Sequence, residues 1–297
     1  MSSKPVIIAL MGPTGSGKSN FINQLTGRKE DNSAHGLKSD TQGIREFTVN
    51  LSNNRLYVFV DTPGFDDTYR SDRDILRTIA EWLEKKYRNE VKLTGIIYTH
   101  RITDNRMSGS VCKNLDMFSR LCGDKAAERV RLVTTMWDKA KDKNLAKSRV
   151  SQLETNFWEP LLEAGARHEQ FENSSDSAWK IVRGLMGEGE AVLLQEELVD
   201  VERKLNETTA GKALYSQFQK LLHEQKETIK QLQEEAKAQK DPELVKQLEA
   251  EQRRLEAELQ KTWDDMDKLK IPFFRRLALL FSKKPQSRKI ELSLPGN

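Results

Sequence analysis

Apolar residues follow two different rhythms along this chain, and the rhythm changes near residue 188. Before that point, near-continuous apolar runs at Val6 to Leu10, Leu56 to Val60, Gly95 to Tyr98 and Val130 to Met136 predict strands buried on both faces. Between them the spacing becomes helical. Phe21, Ile22 and Leu25 share one side of a helix that Gly27 stops, and Ile75, Ile79, Trp82 and Leu83 recur up to about Tyr87. Val111, Leu115, Phe118 and Leu121 form a face between a Ser108 cap and a Gly123 stop, and Phe157-Trp158 through Leu162 predicts a further helix. Phe47, Val49 and Leu51 alternate, and Asn53-Asn54 supplies a tight turn, so a hairpin feeds the strand at Leu56. Strands alternating with helices predict an α/β three-layer sandwich over residues 1–187. Its sheet is mainly parallel, with one antiparallel edge strand from the hairpin.

Beyond Glu188, Tyr215, Phe218, Leu222, Gln225, Ile229, Leu232 and Ala236 keep a 3-4 spacing in a Glu/Lys/Gln-rich background, which predicts an amphipathic helix with a narrow seam. Asp241-Pro242 supplies an N-cap and a first-turn proline, so a second helix starts there and runs through Leu244, Leu248, Leu255, Leu259, Met266 and Leu269. This extension, 188–270, reads either as an antiparallel hairpin, the slightly favoured form because the proline interrupts the heptads, or as a coiled coil with another chain. The segment 271–297 reads as a basic amphipathic tail. Phe273, Phe274, Leu277, Leu280 and Phe281 share one helical face, and Arg275, Arg276, Lys283, Lys284, Arg288 and Lys289 stand against Glu291 alone. Such a tail either lies on a membrane surface or docks on the rest of the chain.

Composition adjusts this picture in three ways. Charged residues at 32% against 37% hydrophobic are too polar for one compact globule of 297 residues, in keeping with an exposed helical part. A net charge of +4 gives no general attraction to nucleic acid, so no nucleic-acid partner is expected. Cys112 and Cys122 lack CxxC spacing, the start MSSKPV lacks the apolar core of a signal peptide, and no run is long enough to span a bilayer. The expected location is cytoplasmic, with peripheral membrane attachment open.

The candidate chemistry sits at the ends of the predicted strands. Gly12-Pro13-Thr14-Gly15-Ser16-Gly17-Lys18-Ser19, following the run at Val6 to Leu10, fits the pattern G-x-x-x-x-G-K-S. A strand ending in a glycine-rich turn that opens a helix aims backbone N–H groups and the helix dipole at one point, which suits a phosphate. Lys18 would reach the β- and γ-phosphates, the Ser19 hydroxyl would ligate Mg²⁺, and Asn20 lies next to them on the helix. The polar stretch from Arg28 to Asp40 reads as a mobile loop, and Thr41 at its end could meet Mg²⁺ and the γ-phosphate only when that phosphate is present. Asp61-Thr62-Pro63-Gly64 ends the next strand, where Asp61 can hold Mg²⁺ through water and the Gly64 N–H can bond a γ-phosphate. Phe65 stands where many GTPases carry a water-positioning glutamine. Arg101 and Arg106 lie in a basic loop on the ligand side of the sheet. In Thr135-Met136-Trp137-Asp138, a variant of N-K-x-D, the Asp138 carboxylate can accept from the ring N–H and amino group of guanine, with adenine as the alternative base. Asn173 or a neighbouring N–H could bond the base oxygen.

The order of these motifs over about residues 5–187 resembles the AIG1/Toc34/GIMAP-like GTPases of the septin-like TRAFAC class. The resemblance rests on GPTGSGKS, Ser39-Asp40-Thr41, DTPGF without a catalytic glutamine, IIYTHRIT with DNRMSGS, and TTMWD. The last segments are similar to those of fungal G-domain proteins. The resemblance implies a GTP/GDP switch with Mg²⁺, which pairs as a homodimer through its G domains and hydrolyses GTP slowly with help across the dimer. In that family an arginine between the third and fourth motifs can act across the dimer, which implies the role for Arg101. The helical C-terminus would couple the nucleotide state to a partner or membrane. Two alternatives stay open: a nucleotide-locked structural module with negligible turnover, and an ATP-binding protein.

Overall fold

The computed structural model describes residues 5–27, 38–41, 43–51, 55–65, 70–185 and 187–294. The predicted apolar runs form the centre of a seven-stranded sheet in the order β2-β3-β4-β1-β5-β6-β7. Its strands are β1 (Val6–Met11), β2 (Lys38–Thr41), β3 (Ile44–Asn50), β4 (Leu56–Asp61), β5 (Gly95–Arg101), β6 (Val130–Thr135) and β7 (Arg167–Gln170). β1, β4, β5, β6 and β7 run parallel, so their carboxyl ends share one edge of the sheet. β3 runs against its neighbours, as the hairpin reading required, but it is not the edge strand, because β2 pairs outside it. Residues 38–41 are therefore paired strand rather than the end of a loop. The turn at Asn53-Asn54 and most of the loop from Arg28 lie outside the described residues.

Alternation along the strands sends side chains to two layers of helices. The helices before the extension are α1 (Lys18–Thr26), α2 (Asp72–Arg88), α3 (Gly109–Cys122), α4 (Lys143–Asn156), α5 (Glu159–Glu163), α6 (Ser175–Arg183) and the short α7 (Leu193–Gln195). On one face Val6, Ile8, Leu10, Phe47, Phe59, Ile97 and Val133 pack with Phe21, Ile22 and Leu25 of α1 and with Ala178, Ile181 and Val182 of α6. On the other face Tyr98 packs at a tilt on Phe118 of α3 with ring centroids 4.7 Å apart, and Trp82 of α2 donates its indole N–H to Glu46 of β3 at 2.7 Å. Each large side chain so buried contributes about 1.5–3 kcal/mol.

Two predicted details differ. Phe157 and Trp158 do not lie on a helix but form the break between α4 and α5, where the fully buried Trp158 acts as a wedge. β7 has the sequence Arg-His-Glu-Gln, which carries no apolar alternation. It forms because the exposed backbone edge of β6 offers it a parallel ladder and the His168 ring packs on Trp158.

The chain divides into two compact units, residues 1–203 with 283–297, and residues 204–282. The first extends past the predicted limit at 187. α7 leads into one turn of π-helix, Glu196–Asp200, and this stretch packs on α2 and α3. Its buried Glu196 accepts from the backbone N–H and hydroxyl of Ser287 at 2.7 and 2.8 Å. Ser119 donates to the carbonyl of Ile290 at 3.3 Å, and Ile290, Leu292 and Leu294 are buried. The segment 271–297 is thus not one amphipathic tail. From Lys283 on it is a strap of the first unit, whose Ser287 satisfies the buried Glu196 carboxylate.

The second unit is an α-helical hairpin of α8 (Thr209–Ala238) and α9 (Pro242–Asp267), followed by α10 (Phe273–Leu280). Asp241 caps α9 by accepting from the Glu243 N–H at 2.9 Å, with Pro242 in its first turn. The seam is buried at Leu214, Phe218, Leu222, Met266 and Leu269, whereas Leu244 near the tip is exposed. Among the described residues no helix is long and apolar enough to cross a membrane.

Candidate functional site

The glycine loop lies where β1 ends and α1 begins, and its shape follows from its glycines. Gly12, Gly15 and Gly17 have φ of +133°, +72° and +96°, values that side chains with a Cβ rarely adopt. At Gly12 a Cβ would also strike the backbone oxygen of Thr99 on β5. Gly12→Ala is therefore expected to destabilise the protein by about 2–3 kcal/mol through strain and collision. A urea midpoint within experimental error of the wild type would contradict this turn geometry.

Neighbouring strands hold the loop from below. The Ser16 and Thr99 hydroxyls are hydrogen-bonded at 2.6 Å, and Thr99 also donates to the Met11 carbonyl at 3.3 Å. Thr135, at the end of β6, donates its hydroxyl to the Ser16 carbonyl at 2.8 Å. Thr135 stands where N-K-x-D has its asparagine, a place that predicts contact with the nucleotide; its hydroxyl instead faces the loop backbone, so it positions the loop. Lys18 lies across the loop and donates to the carbonyls of Gly12 and Pro13 at 2.8 and 2.9 Å, while Thr14 and Gly15 form its exposed rim.

Beside the loop, the Ser19 hydroxyl donates to the Asp61 carboxylate at 3.2 Å. Two hard oxygen donors in contact at the mouth of a phosphate loop fit a Mg²⁺ ion that keeps several waters and phosphate oxygens as its other ligands. No group of three or more His, Cys, Asp or Glu able to hold a metal by themselves occurs among the described residues. Asp61 also accepts from Arg45 at 2.5 Å. Sequence reasoning missed Arg45, although counting back along the hairpin register from Asn50 opposite Leu56 puts Arg45 opposite Asp61. Gly64 is buried three residues beyond Asp61, and Phe65 is half-buried. Thr41 ends β2, and its side chain lies outside the described residues.

A second polar group lies at the same edge of the sheet. The Asn20 side chain, on α1, donates to the Asn173 oxygen at 2.8 Å, and the Asn173 amide donates to the Asp138 carboxylate at 3.0 Å. The core explains why three residues so far apart in sequence meet. Phe21 and Phe171 pack with ring centroids 4.8 Å apart, a contact contributing about 0.5–1.5 kcal/mol beyond its area, and it draws the start of α1 to the loop after β7. Met136 and Asn173 both adopt left-handed backbone, φ 62° and 55°, and so turn the chain sharply at the strand ends. The Trp137 indole N–H donates to Thr134 at 2.9 Å and anchors the turn that leaves Asp138 exposed.

Arg101 is the last residue of β5 rather than part of the following loop, and it pairs with Asp104 at 3.0 Å. Its guanidinium lies against the phosphate loop of its own chain, 3.5 Å from where a Cβ on Gly15 would sit. Arg106 is exposed beyond it. Burial pushes the His100 imidazole from its ordinary 6.5 down to about 4, with Asp104 opposing and Arg101 adding to the shift. His100 is therefore neutral near pH 7 and adds no charge to the site.

Comparison with known proteins agrees with this arrangement. The family described as 50S ribosome-binding GTPase matches residues 7–116. A probable GTP-binding protein EngB from Prosthecochloris aestuarii is 31% identical over 164 residues, 53% of this chain and 74% of that protein. Solved structures similar to the chain include Toc33 from Arabidopsis thaliana in complex with GDP and Mg²⁺, with a TM-score of 0.47 and 13% identity over 64% of this chain and 88% of that one. Era from Aquifex aeolicus follows, with a TM-score of 0.43 and 17% identity over 63% of this chain and 59% of that one. With a glycine loop of this geometry and a curated relative of that identity and coverage, the chain belongs to the P-loop GTPases: it carries a GTP-binding G domain and is a GTP hydrolase.

Proposed function

We propose that this GTPase is a slow nucleotide switch whose G domain binds GTP with Mg²⁺ and whose C-terminal helices pass the nucleotide state to a partner or a membrane. The observation that carries the reading is the shared edge of the sheet, where the phosphate loop follows β1, Asp138 follows β6 and Asn173 follows β7, with Asn20 on α1 bonded to Asn173. A phosphate tail and a base presented to that edge would meet both at once. Lys18 leaves the Gly12 and Pro13 carbonyls for the β- and γ-phosphate oxygens, exchanging neutral acceptors for charged ones. Ser19 and Thr41 would hold Mg²⁺ directly and Asp61 through water. Bound there, the ion offsets charge that develops on the phosphates. The Gly64 N–H would sense the γ-phosphate, and Asp138 would select guanine.

Phe65 offers no carboxamide to orient water, which favours slow turnover and also favours the second reading, a nucleotide-locked assembly module. Within the P-loop GTPases we assign the chain to the AIG1/Toc34/GIMAP-like group, near fungal G-domain proteins, on its DTPGF and TTMWD motifs. That assignment brings with it G-domain homodimerisation and a cytoplasmic location, peripheral on a membrane. Arg101 lies beside its own loop, so it can serve the phosphates in cis as well as across a dimer.

The test combines GTP and ATP titrations in Mg²⁺ with sizing in GDP and in a non-hydrolysable GTP analogue. A switch binds GTP in preference to ATP, dimerises only with the triphosphate, and turns over faster per molecule as protein concentration rises. Arg101→Ala should remove that concentration dependence if the arginine acts across the dimer, and lower turnover at every concentration if it acts in cis. Turnover at background level under all conditions would favour the assembly module. Equal affinity for ATP would overturn the guanine reading.

A further inference from the structure

Most amphipathic helices bury their apolar side; α10 buries no residue, and its apolar side is exposed. Arg275, itself half-exposed, forms a two-pronged ion pair with Glu207, at 2.6 and 3.0 Å, and the Glu207 side chain is only 2% exposed. That bond pulls the Glu207 carboxyl below its usual range, first through the hydrogen bond itself. Arg276 is tied to the helix start by the Ile271 carbonyl at 3.0 Å. With about 100° between successive residues, the side away from Arg275 carries Phe273, Phe274, Leu277, Leu280 and Phe281 in an arc of about 120°. All five are exposed, Phe274 by 83% and Phe281 by 90%. The remaining large exposed apolar side chains among the described residues, Leu145, Leu244 and Trp263, stand on other helices.

The charge around this face says what it fits. Within this unit Lys268, Lys270 and Arg276 precede or stand on the helix, Arg275 being paired with Glu207, and residues 268–282 contain no acidic residue. Aromatic side chains that enter an acyl boundary beside lysines and arginines that meet anionic headgroups make an interfacial anchor, whereas a protein-binding face carries no need for so one-sided a charge. We propose that α10 is a membrane-surface anchor that lies in the interface of an anionic bilayer, held in its outward-facing pose by the Arg275–Glu207 ion pair. This rests on the membrane arm of the proposed function and deepens it by naming α10 as the anchor; it does not rest on which nucleotide is bound.

The test is sedimentation of the full chain with vesicles of phosphatidylcholine alone and with added phosphatidylserine, in GDP and in a non-hydrolysable GTP analogue. Binding is expected with the anionic vesicles, weakened by high salt. The double variant F274E/F281E changes only exposed side chains and should lose at least about tenfold in partitioning, while Leu145→Glu on α4 should match the wild type. Circular dichroism and thermal melts verify that both variants fold. Absence of vesicle binding in both nucleotide states, or equal binding by the double variant, overturns the proposal. A dimer that F274E/F281E dissociates, without vesicle binding, also overturns it and assigns the face to a second copy.

Discussion

Lys18→Ala is expected to lower affinity for guanosine triphosphate by about a hundredfold or more while leaving the fold in place. Each charge-assisted hydrogen bond to phosphate is worth about 1.5–3 kcal/mol, and one ammonium serving two phosphates forfeits about 3 kcal/mol or more. The folded state loses less per bond, because the bonds from Lys18 to Gly12 and Pro13 go to neutral carbonyls of its own loop. Those contacts also hold the carbonyls in place, so a small drop in stability of about 1 kcal/mol should accompany the change. Lys18→Arg should not restore binding, since the side chain is buried and a planar fork cannot occupy the place of a compact ammonium. Calorimetric titration with a non-hydrolysable analogue, beside a urea melt, separates the two effects. Wild-type affinity in Lys18→Ala would show that the lysine never leaves its carbonyls.

The second large effect concerns the base. Asp138→Asn should weaken GTP by about thirty- to a hundredfold, or 2–3 kcal/mol, and raise affinity for xanthosine triphosphate. Guanine presents a ring N–H and an amino group, which a carboxylate accepts. Xanthine replaces the amino group with a carbonyl, which the amide of asparagine can meet with a donor. The exchange should leave the neighbourhood standing, because the asparagine oxygen can still accept from Asn173 as the carboxylate does. Competition between the two triphosphates for a fluorescent analogue reads the switch directly. If both fall equally, Asp138 acts through Asn173 and Asn20 rather than on the base. If neither moves, the base lies elsewhere.

Local chemistry by itself determined a good part of this protein. GPTGSGKS by itself allows the positive φ found at Gly12, Gly15 and Gly17, because only glycine reaches those angles without strain. Likewise, four apolar runs too short for helices had to become buried strands, and Asp241-Pro242 had to begin a helix. Other features belonged to the folded chain alone. β7 is a polar tetrapeptide that becomes a strand because β6 has a free edge, a cause no periodicity records. The meeting of Asn20, Asn173 and Asp138 rests on Phe21 against Phe171, a contact between residues 150 apart in sequence. Arg45 on Asp61 depends on register, and the strap over 283–294 on a buried Glu196 that needed donors from a distant segment. The apolar residues of α10 were legible as a stripe, but that the stripe stays exposed while Arg275 pairs with the buried Glu207 belongs to the folded chain alone. Propensity and spacing act within a few residues of chain, whereas burial, charge pairing and hydrogen-bond completion are settled only when the whole surface is apportioned between protein and water.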